Sequence, residues 1–244
     1  MAYAVQWVRS LAFTLVMYGG MAVIGLGLFP YTLMSRHGAL RVAKLWCRFT
    51  LWAARWMIGL RTEVRGEVPT GEVLIASKHQ SFLDIIVLFD AVPNGKFIMK
   101  RELLFTPVVG QYATRIGCVP VDRGKRGAAI AKMLREAAAS NQTYPGQLII
   151  FPQGTRVAPG VKADYKVGAA LLHRQLKQPC IPAATNVGYF WPRTGVYRKS
   201  GLAVVEFLPV IPADVNKTEY LPMLEQVVET ASERLLQEAR DAAD

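Results

Sequence analysis

From Ser10 to Ser35 the chain runs 26 residues without one charged side chain. About 20 apolar residues suffice to carry a helix across the hydrocarbon core of a bilayer, so this stretch is long enough to span. A cleaved signal peptide is the competing reading. The run is long for a signal peptide's apolar region, however, and a strongly basic segment follows where a small-residue cleavage site would belong. Gly19, Gly20, Gly25, Gly27 and Pro30 interrupt it. They are compatible both with a spanning helix and with a bent one that re-enters the same leaflet. Composition agrees with membrane contact: 52% of the 244 residues are apolar and 19% are charged, against roughly 25% charged in ordinary soluble domains.

The formal net charge is +11, and residues 36 to 65 hold more than half of it, with Arg36, Arg41, Lys44, Arg48, Arg55, Arg61 and Arg65 against Glu63 alone. Such a flank belongs on the cytoplasmic side of a membrane. Within it, Gly38 to Leu60 reads as a helix. At about 100° per residue Arg41, Lys44, Arg48 and Arg55 form one stripe, bordered by Phe49, Trp52 and Trp56. That pattern suits the headgroup level, where cationic side chains snorkel and indole rings settle. A helix packed on the domain with a solvated basic edge is the alternative. No basic recognition helix or aromatic RNA-binding strand appears elsewhere, so nucleic acid is not an expected partner. Cys47, Cys118 and Cys180 are too few for a disulfide framework and match no zinc spacing. Reduced thiols, no metal site and a cytoplasm-facing domain on the inner membrane are the expectation.

After Leu60 short apolar runs alternate with longer helical ones. Expected strands are Glu72 to Ser77, Lys96 to Met99, Cys118 to Val121, Gln147 to Phe151, Cys180 to Thr185 and Leu202 to Leu208. Expected helices are Phe82 to Phe89, Pro107 to Ile116, Ala128 to Ser140, Tyr165 to Gln175 and about Glu219 to Ala243. The alternation predicts an α/β domain over residues 61–244, with a mainly parallel sheet flanked by helices. Residues 1–60 precede it as a two-helix membrane-binding motif, hydrophobic over 10–35 and amphipathic over 38–60. In open α/β sheets chemistry gathers at the carboxyl ends of strands. Two loops there are unusually polar: Lys78-His79-Gln80-Ser81, and Pro152-Gln153-Gly154-Thr155-Arg156.

In the first loop His79 precedes Asp84 by five positions. On one continuous helix that offset turns the side chains about 140° apart, too far for contact. With His79 in the loop and the helix starting at Ser81, Asp84 falls in the first turn and its carboxylate reaches back to the ring. Such a pair fixes the tautomer and stabilises the imidazolium, which makes His79 a general base. Ser81-x-x-Asp84 also reads as a capping box, and the two readings are compatible. His37, beside the apolar run, and His173, in an apolar helical pattern, read as structural.

The order of segments is more specific than either loop. KHQSFLD, then Gly117 to Arg123 (GCVPVDR), then Phe151 to Arg156 (FPQGTR), then Ile181 to Asn186 (IPAATN) resembles the four blocks of the glycerolipid acyltransferase superfamily. Within it the chain is most similar to the bacterial 1-acyl-sn-glycerol-3-phosphate acyltransferases, over roughly residues 60 to 210 and the N-terminal helices. The resemblance implies His79 as base and Asp84 as its orienter. It implies acylation of lysophosphatidic acid by an acyl thioester, acyl-CoA or acyl-carrier protein, with no acyl-enzyme and no cofactor. Its third block places Gln153, Gly154, Thr155 and Arg156 around the acceptor phosphate; a glycine allows close backbone approach and an arginine offers a planar fork. Lys100 and Arg123 are implied as further phosphate contacts, with a solvated surface cation as the plainer reading. Two positions depart from the pattern: Lys78 stands where the family usually has Asn, and Gln153 where it usually has Glu. Acylation of another lysolipid, such as a lyso-ornithine lipid, is the rival within the class. A lipid hydrolase using Ser81, His79 and Asp84 is the rival outside it, and it lacks a G-x-S-x-G elbow.

Overall fold

The uncharged run is divided between the first two helices. In the computed structural model, which describes residues 2–122 and 126–242, the chain begins with α1 (Ala2–Gly27), α2 (Phe29–Met34) and α3 (Arg36–Ala53), which ends in a π-helical turn, Ala54–Ile58. Gly59, at φ 70°, stops that turn in the left-handed conformation. There follow β1 (Leu60–Arg65), β2 (Leu74–Ser77), α4 (Leu83–Ala91), β3 (Lys96–Lys100) and a 3-10 turn (Arg101–Phe105). Then come α5 (Val109–Ile116), β4 (Val119–Val121), α6 (Arg126–Thr143), β5 (Leu148–Ile150), α7 (Val167–Leu176), β6 (Cys180–Thr185), α8 (Val187–Phe190), β7 (Gly201–Phe207) and α9 (Lys217–Asp241).

The strands of the described residues form one sheet in the order β1-β7-β6-β2-β5-β3-β4. From β6 to β4 every pairing is parallel; β7 runs antiparallel to β6, and β1 parallel to β7. The sheet is therefore mainly parallel, as expected, with two reversed strands at one edge. Six strands match the apolar runs within two residues. β1 is the addition, because its sequence, LRTEVR, carries Arg61, Glu63 and Arg65 at alternate positions and reads as polar. Charges on an edge strand discourage pairing with another chain. Here Arg65 reaches Glu63 at 2.8 Å and Glu238 of α9 at 2.6 Å.

Alternation along the central strands divides two helical layers. Ile75 and Ile149 point to the side of α4, α3 and α1, in a cluster with Leu83, Ile86, Leu88, Phe13 and Met17. Leu74, Ala76, Leu148 and Ile150 point the other way, to Met133 and Ala137 of α6, Ala170 and Leu172 of α7, and Tyr220, Leu224 and Val228 of α9. Burial on both faces is why these strands read as continuous apolar runs. The first cluster joins the N-terminal helices to the α/β part in one hydrophobic core.

Helix α1 presents a different side chain to each environment. Phe13 stacks edge-on against Trp191 at 5.4 Å, and Met17 is buried with its carbonyl accepting from Trp46 Nε1 at 3.1 Å. Gly20 lets α3 approach, since a Cβ there would sit 2.2 Å from the Phe49 ring. The opposite face exposes Val8, Leu11, Leu15, Val23 and Leu26. Among the described residues, only this helix is long and apolar enough, over Tyr3–Gly27, to cross a membrane by length and composition. Docking runs along its whole length, from Tyr3 stacked on Tyr197 at 4.9 Å to the Gly25 carbonyl, which accepts from Tyr112 Oη at 2.8 Å. Gln6 donates to the carbonyls of Ile58 and Arg198, and Ser10 Oγ accepts from the Arg198 N–H.

The basic stripe of α3 is only partly a surface. Lys44 Nζ donates to the carbonyls of Asp90 at 3.1 Å and Val92 at 2.5 Å, at the end of α4, and Arg48 pairs with Asp90 at 2.9 Å. A helix C-terminus with unpaired carbonyls attracts cations, so packing claims Lys44, while Arg48 stays largely exposed in its surface ion pair. Burial pushes the Lys44 ammonium below its ordinary pKa. Trp52 and Trp56 remain exposed.

Candidate active site

Because β2 and β5 are adjacent and parallel, with Ala76 opposite Ile150, their following loops leave the sheet at the same edge. The first loop places His79 beside Asp84: Nδ1 lies 2.9 Å from Oδ1. The second carboxylate oxygen accepts from the backbone N–H groups of Gln80 and Ser81, both at 2.8 Å. One fully buried carboxylate thus closes the loop onto the first turn of α4 and holds the imidazole as well. The Asp84 bond to the Ser81 N–H is one half of a capping box. The other half is altered, with Ser81 Oγ accepting from Leu83 N at 3.1 Å. Cap and orienter are the same group. With Asp84 ionised, Nδ1 carries the ring proton and Nε2 keeps the lone pair.

Two aromatic residues that the motif reading passed over support this loop. The His79 ring lies flat on Phe151, with centroids 3.9 Å apart and planes 17° apart, and Phe151 in turn stacks on Phe97. Phe82 lies under Arg156, whose guanidinium carbon is 5.9 Å from the ring centroid. Each aromatic stands inside or beside a polar motif, which was the available signal.

The second loop turns at Gly154, whose N–H donates to the Phe151 carbonyl at 2.9 Å and whose φ of 69° favours glycine. Thr155 is exposed and Arg156 half-buried. The Arg156 carbonyl accepts from Arg193 Nη1 at 3.3 Å. The Val157 N–H donates to the His79 carbonyl at 2.8 Å, so the two loops are joined directly. Gln153 is buried under the loop, and its amide Nε2 faces Glu229 Oε1 of α9 at 3.5 Å. Lys78 is buried too and forms an ion pair with Glu229. Sequence reasoning missed Glu229, which sits in a helix of regularly spaced glutamates that reads as a solvated face.

Lys100 ends β3 at the same edge of the sheet, half-exposed and paired with Glu102 at 3.2 Å. Arg123 lies outside the described residues. Asn186 of the fourth block is structural: its Oδ1 accepts from the Val204 N–H and its Nδ2 donates to the Leu235 carbonyl. His173 is buried, stacked on Tyr220 at 4.2 Å, and burial holds its pKa below the ordinary value. Among the described residues no three His, Cys, Asp or Glu side chains are grouped to hold a metal ion.

A family model described as acyltransferase matches residues 61–186, a span that contains both loops and all four blocks. The chain belongs to the acyltransferase family. This acyltransferase is 29% identical over 229 residues to the 1-acyl-sn-glycerol-3-phosphate acyltransferase of Pseudomonas aeruginosa, covering 92% of the chain and 89% of the relative. The alpha form of the same-named enzyme from Ovis aries is 31% identical over 182 residues, covering 72% of the chain and 63% of the relative. The crystal structure of the lysophosphatidic acid acyltransferase of Thermotoga maritima shares the fold of this acyltransferase. Its TM-score is 0.79 at 21% identity, over 94% of this chain and 97% of that one.

Proposed function

We propose that this acyltransferase moves an acyl chain from a thioester to the sn-2 hydroxyl of lysophosphatidic acid, forming phosphatidic acid. The observation that carries the reading is the 2.9 Å His79–Asp84 pair beside a loop with a half-buried arginine. His79 Nε2 takes the hydroxyl proton as the oxygen attacks the thioester carbonyl. The tetrahedral adduct then collapses, the C–S bond breaks, and the leaving thiolate takes the proton back from the imidazolium. Asp84 stabilises the imidazolium while it exists. Arg156 offers its fork to the acceptor phosphate, with Gly154 and Thr155 beside it. Lys100 and Arg123 are further candidates for phosphate contact. The reaction needs no cofactor beyond the thioester.

Ser81 speaks against the hydrolase rival, since it is fully buried with Oγ accepting a backbone N–H. For the membrane, full-length docking of α1 favours a helix lying along one leaflet with its outer face in the acyl region over a helix that leaves the domain to span. The basic segment then meets anionic headgroups on the cytoplasmic face of the inner membrane. The test is purified protein given labelled oleoyl-CoA or oleoyl-acyl-carrier protein and a panel of lysolipids, followed by lipid chromatography. Phosphatidic acid as the main product supports the reading. Free fatty acid without diacyl product, or preference for another lysolipid, overturns it, and the better donor identifies the thioester.

A further inference from the structure

Both residues that depart from the family pattern meet at one carboxylate. Glu229 Oε2 accepts from Lys78 Nζ, and Lys78 is 2% exposed. Its other oxygen accepts from Tyr165 Oη at 3.1 Å and faces Gln153 Nε2 at 3.5 Å. Lys78 immediately precedes His79. Gln153 immediately precedes Gly154, Thr155 and Arg156, and Tyr165 closes the same excursion, where the Lys166 N–H returns to the Pro152 carbonyl at 2.9 Å. A single side chain on the C-terminal helix therefore ties down the base loop and both ends of the phosphate loop. It lies beyond the residues matched by the family model, which end at 186.

The electrostatics make this a balanced cluster. One buried ammonium faces one largely buried carboxylate, and removing either leaves the other uncompensated. Gln153 Oε1 is buried without a hydrogen-bond partner among the described residues. A carboxylate at position 153 would add a second anion beside Glu229. In this chain the carboxylate of the cluster stands on α9, and an amide stands at position 153.

We propose that Glu229 is a positioning residue. Through Lys78 it sets His79, and through Gln153 and Tyr165 it sets Arg156, so it fixes the distance between base and acceptor phosphate. This rests on the reading of His79 as base and Arg156 as phosphate contact. Misplacement of reacting groups by about 1 Å can cost on the order of 10²-fold in rate.

The test uses the full chain in detergent with oleoyl-CoA and 1-oleoyl-lysophosphatidic acid, reading kcat, acceptor KM and melting temperature for each variant. Glu229→Gln should lower kcat roughly tenfold and raise acceptor KM. If that variant does not fold, Glu229→Asp keeps the charge with a shorter reach and should move both constants the same way. Gln153→Glu alone should also slow the enzyme. Combining Gln153→Glu with Glu229→Gln restores one anion to one cation and should recover most of the rate. Combining Lys78→Gln with Glu229→Gln removes both charges and should recover melting temperature but not rate. Glu233→Gln, an exposed change one turn further along α9, should leave both constants unchanged. Wild-type kinetics in Glu229→Gln overturn the proposal, as does recovery of rate in the uncharged pair or its absence in the exchanged pair. His79→Ala measured alongside separates the two claims. If it stays active the base assignment fails; if it is inactive while Glu229→Gln behaves as wild type, only the role of Glu229 fails.

Discussion

The loop edge of the sheet and the outer face of α1 invert the usual partition of side chains in opposite senses. At the loop edge polar groups are buried: Asp84 is fully enclosed, and Lys78 and Gln153 are nearly so. Along the N-terminal layer large apolar groups face outward, with Val23 75% and Trp56 67% exposed. Each inversion is costly in water unless something compensates it. Hydrogen bonds and a counter-ion compensate the first, and the acyl region of a bilayer would compensate the second. In the proposed reaction the buried polar atoms would handle the proton, and the outward apolar atoms would meet the lipid.

Changing one region at a time breaks the comparison. Asp84→Asn should cost turnover about 10² or more, because the imidazolium loses its counter-charge. Asp84→Ala should in addition cost about 1–3 kcal/mol in denaturant unfolding, since two buried N–H groups lose their acceptor. Phe13→Ala, on the inner face of α1, should destabilise by about 3–5 kcal/mol. Arg156→Ala should act mainly on binding, raising acceptor KM roughly tenfold with a smaller change in kcat; an unchanged KM removes it from the phosphate site. Val23→Glu, on the outer face, should leave the melting temperature in detergent near wild type. It should weaken partitioning into anionic vesicles roughly tenfold or more, because a carboxylate must enter the acyl region. Unchanged flotation with vesicles would mean that this face does not enter lipid. Trp56→Ala should give the smallest effect, a few-fold loss of vesicle binding measured by the same assay.

The parts of the fold governed by local periodicity were legible in advance. Central strands buried on both faces leave continuous apolar runs, and α9 and α1 announce themselves by length. β1 was not legible, since its one buried flank is hidden among Arg61, Glu63 and Arg65. Long-range pairing with β7, not propensity, makes it a strand. The His79–Asp84 pair was readable because its partners are five residues apart and the turn between them is short. The contribution of Glu229 was not, because 151 residues separate it from Lys78 and nothing in a regular amphipathic helix marks which glutamate turns inward. The stripe on α3 was partly legible: spacing located the cations, but only tertiary packing showed that Lys44 belongs to the end of α4.

In the proposed reaction the buried imidazole at the loop edge is the base that activates the acceptor hydroxyl. Steady-state formation of phosphatidic acid from oleoyl-CoA and 1-oleoyl-lysophosphatidic acid tests it most directly, with wild type and His79→Ala compared at matched folding by melting temperature. Turnover should fall by roughly 10² or more with acceptor KM little changed. Turnover within a few-fold of wild type in a folded His79→Ala protein would contradict the account.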